Sequence, residues 1–103
     1  MLHTSVCYRL YVGDQDLETL SDICDRYFRG YTIYLAVGAW QGKREGSNII
    51  EIIGTPLDLQ AVVFLAGDIR EVWGEQAVMV TSHEVTRLAM TEVDSRAPQT
   101  PKL

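Results

Sequence analysis

The chain has little of what usually announces a chemistry. Its 103 residues include two histidines and two cysteines. Cys7 and Cys24 form no Cys-x-x-Cys pair and sit in no His-rich spacing, so neither a metal site nor a cofactor is expected. Both thiols are expected to be buried, in a reducing compartment. There is no Gly-x-Ser-x-Gly, no Walker loop and no paired-carboxylate signature, so the common hydrolase and phosphate-loop chemistries have no support. Basic residues are scarce, nine Lys and Arg against 14 Asp and Glu, for a net charge of -5. That balance excludes a general nucleic-acid binder, which needs a basic face. No apolar run approaches a membrane span, and no basic region followed by an apolar run opens the chain. A cytoplasmic protein with no membrane partner is expected.

What remains is a small core former. With 47% hydrophobic residues, the body of the chain is not disordered. One domain of this size buries a limited share of its surface, so self-association is expected to complete the burial. From Asp94 the chain turns polar and holds two of its three prolines, so residues 94–103 are expected to be a disordered tail after a domain spanning 1–93.

Residues 4–12 alternate. Val6, Tyr8, Leu10 and Val12 share one face, Cys7, Arg9 and Tyr11 the other, which predicts a strand. The period then changes. Leu17, Leu20, Ile23, Cys24, Tyr27 and Phe28 fall on one helical face over 15–28, with Asp14 as N-cap, Arg26 and Arg29 near the end and Gly30 as C-cap. Tyr31–Val37 and Asn48–Ile53 read as two apolar strands joined by a hairpin with a long tip. Thr55-Pro56-Leu57-Asp58 is a helix start with a capping box, and Leu59, Val62, Val63, Ala66, Ile69 and Trp73 form its apolar face up to Gly74. Gln76–Ser82 reads as the fourth strand, and 84–93 either extends it or forms an arm.

The order is β-α-β-β-α-β. It predicts an α+β, ferredoxin-like domain: one four-stranded antiparallel sheet with two helices on one face. Tyr8, Tyr11, Tyr31 and Tyr34 are the candidates to line the uncovered face. Glu51 is read as a solvated outward residue, with pairing to Arg9 as the alternative. His83 and Glu84 are neighbours in a strand and so point to opposite faces, which makes them poor acid–base partners.

The segment between the second and third strands is the densest in unusual side chains. It carries Gly38, Gly42 and Gly46, the aromatic Trp40, charges at Lys43, Arg44 and Glu45, and the small polar Ser47 and Asn48. Glycines admit a close ligand and let amides converge on an anion. Lys43 and Arg44 supply positive charge, Arg44 with a planar fork for phosphate or carboxylate. Trp40 stacks on a base or closes a pocket. The architectural alternative is that the glycines shape a bulge and a turn while Trp40 packs into a subunit interface.

The run G-Y-T-I-x4-G-x-W-x-G-x-R-E-G-S over 30–47, followed by an apolar strand, a helix and WGEQAVMV at 73–80, resembles small uncharacterised ferredoxin-like proteins of bacteria and phages. More remotely, Gly30-Tyr31-Thr32-Ile33, the glycine-rich tip and Glu84-Val85-Thr86-Arg87 are similar to segments of the PII and PII-like superfamily. That resemblance implies a trimer holding adenine nucleotides between subunits. With it, the ligand-binding candidates are Thr32, Gly38, Trp40, Gly42, Lys43, Arg44, Glu45, Ser47 and Arg87, with no catalytic residue. The expected function is a non-enzymatic homo-oligomer, a trimer before a dimer, that binds a small anionic metabolite or nucleotide and sequesters or senses a nucleotide signal. The alternatives are a small dimeric ferredoxin-like enzyme of isomerase or monooxygenase type, and a purely structural protein-interaction module.

Overall fold

A computed structural model describes residues 3–88. Its elements run β1 (His3–Gly13), α1 (Leu17–Cys24), β2 (Thr32–Trp40), β3 (Lys43–Gly54), a 3-10 turn (Pro56–Asp58), α2 (Leu59–Trp73) and β4 (Met79–Arg87). The four strands form one antiparallel sheet in the order β2-β3-β1-β4, and the two helices pack against one face of it. This is the ferredoxin-like arrangement.

The alternation of β1 decides which face is which. Tyr8, Leu10 and Val12 point to the helices and are buried, together with Ile50 and Ile52 from β3. They meet Leu20, Ile23 and Cys24 of α1 and Val62, Leu65, Ala66 and Ile69 of α2. Register keeps these layers aligned: Leu10 stands opposite Ile50 on one side and Val80 on the other. The odd-numbered residues of β1 face the open side.

Several expectations are corrected by local hydrogen bonding. α1 starts two residues later than expected, because Asp16 and not Asp14 caps it, its carboxylate accepting from the Thr19 amide at 2.9 Å and hydroxyl at 2.7 Å. It also ends earlier, at Cys24. The amides of Arg26 and Tyr27 bond back three residues, to Ile23 and Cys24, so the chain turns before Gly30 and leaves Arg26 and Arg29 outside the helix. Tyr8 and Tyr31 do not line the open face. The Tyr8 hydroxyl donates to the Thr55 carbonyl at 2.7 Å inside the core, and Tyr31 donates to Asp25 at 2.6 Å below α1. β4 lies three to five residues downstream of its expected span and takes in residues 84–87; residues 89–93 and the tail expectation for 94–103 lie outside the described residues.

The helix start at Thr55 holds as read. The Thr55 side chain accepts from the Leu57 amide, and Asp58 accepts from the Thr55 amide at 2.8 Å. Gly74 ends α2 in the left-handed region at φ 64°. Gly54 is required by the box, since a Cβ there would run into the Asp58 carboxylate. Gly54→Ala should therefore displace Asp58 and lose the cap, at about 0.5–2 kcal/mol in a urea titration.

Both cysteines are buried and free. Burial pushes the Cys24 thiol from 9.0 up to about 12, with a smaller push from the Asp25 carboxylate. The folded thiol holds its proton where an unfolded one has lost it. Its stabilising contribution is therefore complete below pH 9 and is lost as the pH climbs toward 12. Cys24→Ala should flatten the fall in urea midpoint between those pH values relative to wild type.

Candidate functional site

The loop expected between the second and third strands is mostly strand. β2 and β3 continue to a two-residue turn at Gln41-Gly42, whose φ values of 50° and 81° suit a type I′ turn. β1 stops at Gly13, opposite Ser47. Beyond that row only β2 and β3 remain paired, from Val37–Gly46 to Trp40–Lys43, as a two-stranded ribbon standing off the domain. The ribbon is poorly covered: Trp40 is 77% exposed and Val37 is 73% exposed, as is Leu35 just before it on β2. A two-stranded ribbon is marginal by itself in water, so this one is suited to leaning on another surface.

Pairing sorts the predicted site residues by face. Gly38 stands opposite Glu45, and Trp40 opposite Lys43, on the side continuous with the open face of the sheet. Arg44 stands opposite Ala39, one residue out of step, and so lies on the other side of the ribbon. Trp40 and Arg44 therefore do not act together within one chain. Gly42 sits in the turn. Thr32 is several residues away, opposite Glu51, where it helps line a second open groove with Gly30, Tyr31 and Ile53. Arg87 is at the far end of β4, opposite His3.

Four candidates do converge. An open groove of about 240 Å³ at the base of the ribbon is lined by Gly38, Trp40, Glu45 and Ser47, together with Tyr11 and Gly13 from the end of β1. Tyr11 and Gly13 were not foreseen as site residues. The signal for them was the alternation that put Tyr11 on the open face, but their nearness to the ribbon depends on register. Ser47 donates to the Val12 carbonyl at 3.0 Å, which fixes the groove floor to β1. Next to it, buried Asn48 donates from Nδ2 to the carbonyls of Gly13 at 2.9 Å and Gln15 at 3.1 Å. Asn48 thereby ties the loop after β1 to the ribbon. Its Oδ1 is buried and has no partner among the described residues. Gln15 in turn donates to Glu75 at 3.1 Å, which draws in the loop after α2.

The open face has a polar centre. Arg9 and Glu51 stand directly opposite each other and pair at 2.9 Å, with Tyr34 donating to the same carboxylate at 3.4 Å. This corrects the reading of Glu51 as a solvated residue: its cross-strand neighbour is a cation, and their register makes the contact direct. The bond to Glu51 raises the Arg9 pKa. Cys7 lies beside the pair, and burial, then the Glu51 charge, raise its thiol. Around this centre Tyr34, Ile53 and Met79 are exposed. Among the described residues no group of three or more His, Cys, Asp and Glu could hold a metal ion, and no helix is long and apolar enough to cross a membrane.

No family model matches the sequence, and no curated protein matches it. Solved structures do. CPII, a nitrogen regulatory PII-like protein from Thiomonas intermedia K12 bound to ADP, AMP and bicarbonate, aligns with a TM-score of 0.61 at 16% identity, over 88% of this chain and 100% of that one. Its apo form aligns at 0.60 and 15% identity, over 84% and 95% of the two chains. A phage SAM lyase in complex with S-methyl-5'-thioadenosine aligns at 0.61 and 18% identity, over 82% and 90%. The chain thus shares its ferredoxin-like fold with these proteins. At these identities the likeness is one of fold.

The polar centre offers a direct measurement. Glu51→Gln should lower the unfolding free energy by about 1 kcal/mol, the scale of a partly exposed ion pair. Replacing Arg9 and Glu51 together by leucine should recover that loss, because no charge is then left without its partner.

Proposed function

We propose that this chain is an oligomeric binding protein that takes an adenine nucleotide, or a related small anionic ligand, in the groove at the base of the β2–β3 ribbon. The observation that carries the reading is the convergence of Tyr11, Gly13, Gly38, Trp40, Glu45 and Ser47 on one open groove. Trp40 and Tyr11 supply faces for a base. Gly13 and Gly38 let the ligand approach the backbone. Lys43 and Arg44, at the ribbon tip, supply positive charge for a phosphate. Because Arg44 lies on the opposite side of the ribbon from Trp40, it serves the groove of a neighbouring subunit. Thr32 and Arg87 also stand away from the groove, and a second copy has to carry them to it. A trimer in the cytoplasm is the assembly this reading prefers. It draws support from structural likeness to a PII-like protein bound to ADP, AMP and bicarbonate and to a lyase bound to S-methyl-5'-thioadenosine; ADP, AMP and the thioadenosine share an adenine nucleoside.

A second reading, catalysis at the same groove, rests on one observation: Glu45 and Tyr11 both line the groove, in a fold that also serves a phage SAM lyase. Turnover separates the two readings.

Isothermal titration with AMP, ADP and S-methyl-5'-thioadenosine tests the proposal. At least one should bind, and Trp40→Ala should weaken it about tenfold or more, as loss of one stacked base does (about 1–3 kcal/mol). Arg44→Ala should abolish binding of the phosphorylated ligands without changing oligomer size. Binding that survives both substitutions places the site elsewhere. Conversion of S-adenosylmethionine by the purified protein would favour the enzyme.

A further inference from the structure

The groove at the base of the ribbon holds one side chain for which a phosphate has no use. Glu45 is the charged residue of its lining, and no basic side chain among the described residues lines the groove with it. The Glu45 carboxylate is exposed and has no hydrogen-bond or ion-pair partner among the described residues. An ionised carboxylate only accepts hydrogen bonds. Ser47, two residues on along the same face of β3, has already given its proton to the Val12 carbonyl and is left as an acceptor too. This part of the groove therefore seeks O–H or N–H donors and repels an anion.

Directly across the strand pair from Glu45 stands Gly38. Glycine weakens a strand interior, where it marks a bulge or the close approach of a ligand or another backbone. No bulge interrupts the ladder here, since the pairing runs unbroken from Val37–Gly46 through Gly38–Glu45 to Trp40–Lys43. The φ of Gly38 is not in the left-handed region, and a Cβ on it would meet nothing within 4 Å among the described residues. Neither backbone nor internal packing demands the glycine. What it leaves is a notch facing the carboxylate. Trp40, two residues on and so about 7 Å along the same face, walls the notch toward the ribbon tip. Tyr11 lines the groove from β1.

We propose that Glu45 makes this groove selective for ribose: its two carboxylate oxygens accept from the 2′- and 3′-hydroxyls of a nucleoside whose sugar lies in the Gly38 notch. The inference rests on the reading of the groove as a nucleotide site, and it adds which part of the nucleotide meets which side chain. Base and sugar are joined by a single bond. A base stacked on Trp40 therefore carries its sugar to the neighbouring row of the same face, which is Gly38 and Glu45. A vicinal diol presents two O–H donors side by side, a match for the two oxygens of a carboxylate. A 2′-deoxy sugar lacks one of them and leaves part of the desolvated charge unmet. The phosphate is repelled by Glu45 and points away from the notch, toward the positive charge that the ribbon tips supply. The amino group of adenine, the other donor of the ligand, lies at the edge of the base farther from the sugar.

Isothermal titration of wild-type protein, Glu45→Ala and Gly38→Val with AMP, 2′-deoxy-AMP and inosine monophosphate tests this inference. Wild type should bind AMP about tenfold or more tightly than 2′-deoxy-AMP, the weight of one hydrogen bond to a charged group. Glu45→Ala should erase that preference. A folding defect weakens both ligands alike, so the ratio isolates the contact between the carboxylate and the sugar. Inosine monophosphate lacks the amino group of adenine but keeps the diol, and Glu45→Ala should weaken it as it weakens AMP. Gly38→Val fills the notch and should weaken AMP and 2′-deoxy-AMP together, while valine, a good strand former, keeps the ribbon paired. Equal affinity of wild type for AMP and 2′-deoxy-AMP overturns the ribose selectivity and leaves the nucleotide groove standing. So does a Glu45→Ala protein that weakens both of these yet spares inosine monophosphate, because the carboxylate then reads the base. Unchanged binding in Gly38→Val overturns the notch. If none of the three nucleotides binds wild type, the inference falls together with the reading of the groove.

Discussion

The pairing of β1 with β3, from Val6 opposite Gly54 to Gly13 opposite Ser47, fixes everything else in this domain. Strand side chains alternate, so a shift of one residue would carry Leu10 and Ile50 from the helices to the open face and split Arg9 from Glu51. Apolar burial under the helices and the ion pair on the other face enforce the same register. With that register set, β1 has to end at the row of Ser47, because Gly13 and Asp14 turn the chain into α1. β2 and β3 go on without it. The ribbon, the groove at its base and the exposed Trp40 all follow from β1 ending at the Ser47 row while β2 and β3 run on.

Asn48 links that geometry to the candidate site. It occupies a position on the core side of β3 where the neighbouring rows hold isoleucine. A buried amide costs free energy unless it is bonded, and its two donor bonds go to the loop that follows β1. Through Gln15 and Glu75 the tie extends to the loop after α2. The end of the domain where a ligand would sit is thus held by polar contacts, while the opposite end rests on the capping box and the Tyr8 hydroxyl.

Much of the fold was legible because it rests on periodicity and local chemistry. The alternation of Val6 to Val12, the helical spacing from Leu59 to Trp73, and the box at Thr55 and Asp58 each act within a few residues. The site was less legible because it is made by register. Glycines and charges from Gly38 to Ser47 resemble a loop by composition, yet only Gln41 and Gly42 turn, and the remaining residues are paired strand. Sequence adjacency grouped Arg44 with Trp40, whereas the pleat puts them on opposite sides. Glu51 was legible only as one of two alternatives, since its partner is 42 residues away in sequence. Tyr11 was assigned to a face but not to a groove, for the same reason.

The edge of the sheet has a cost for the cell that makes this protein. β2 is an outer strand, and its nine residues, TIYLAVGAW, contain no charge and no proline. Such an edge has none of the usual guards against pairing with a stray strand from another molecule. A freshly made chain therefore carries a strand edge open to stray pairing for as long as nothing covers it. Slow folding prolongs that exposed interval, and local opening of the sheet renews it. Selection on this segment should then act through the lifetime of the uncovered edge, and a variant with an intact groove could still fail by precipitating.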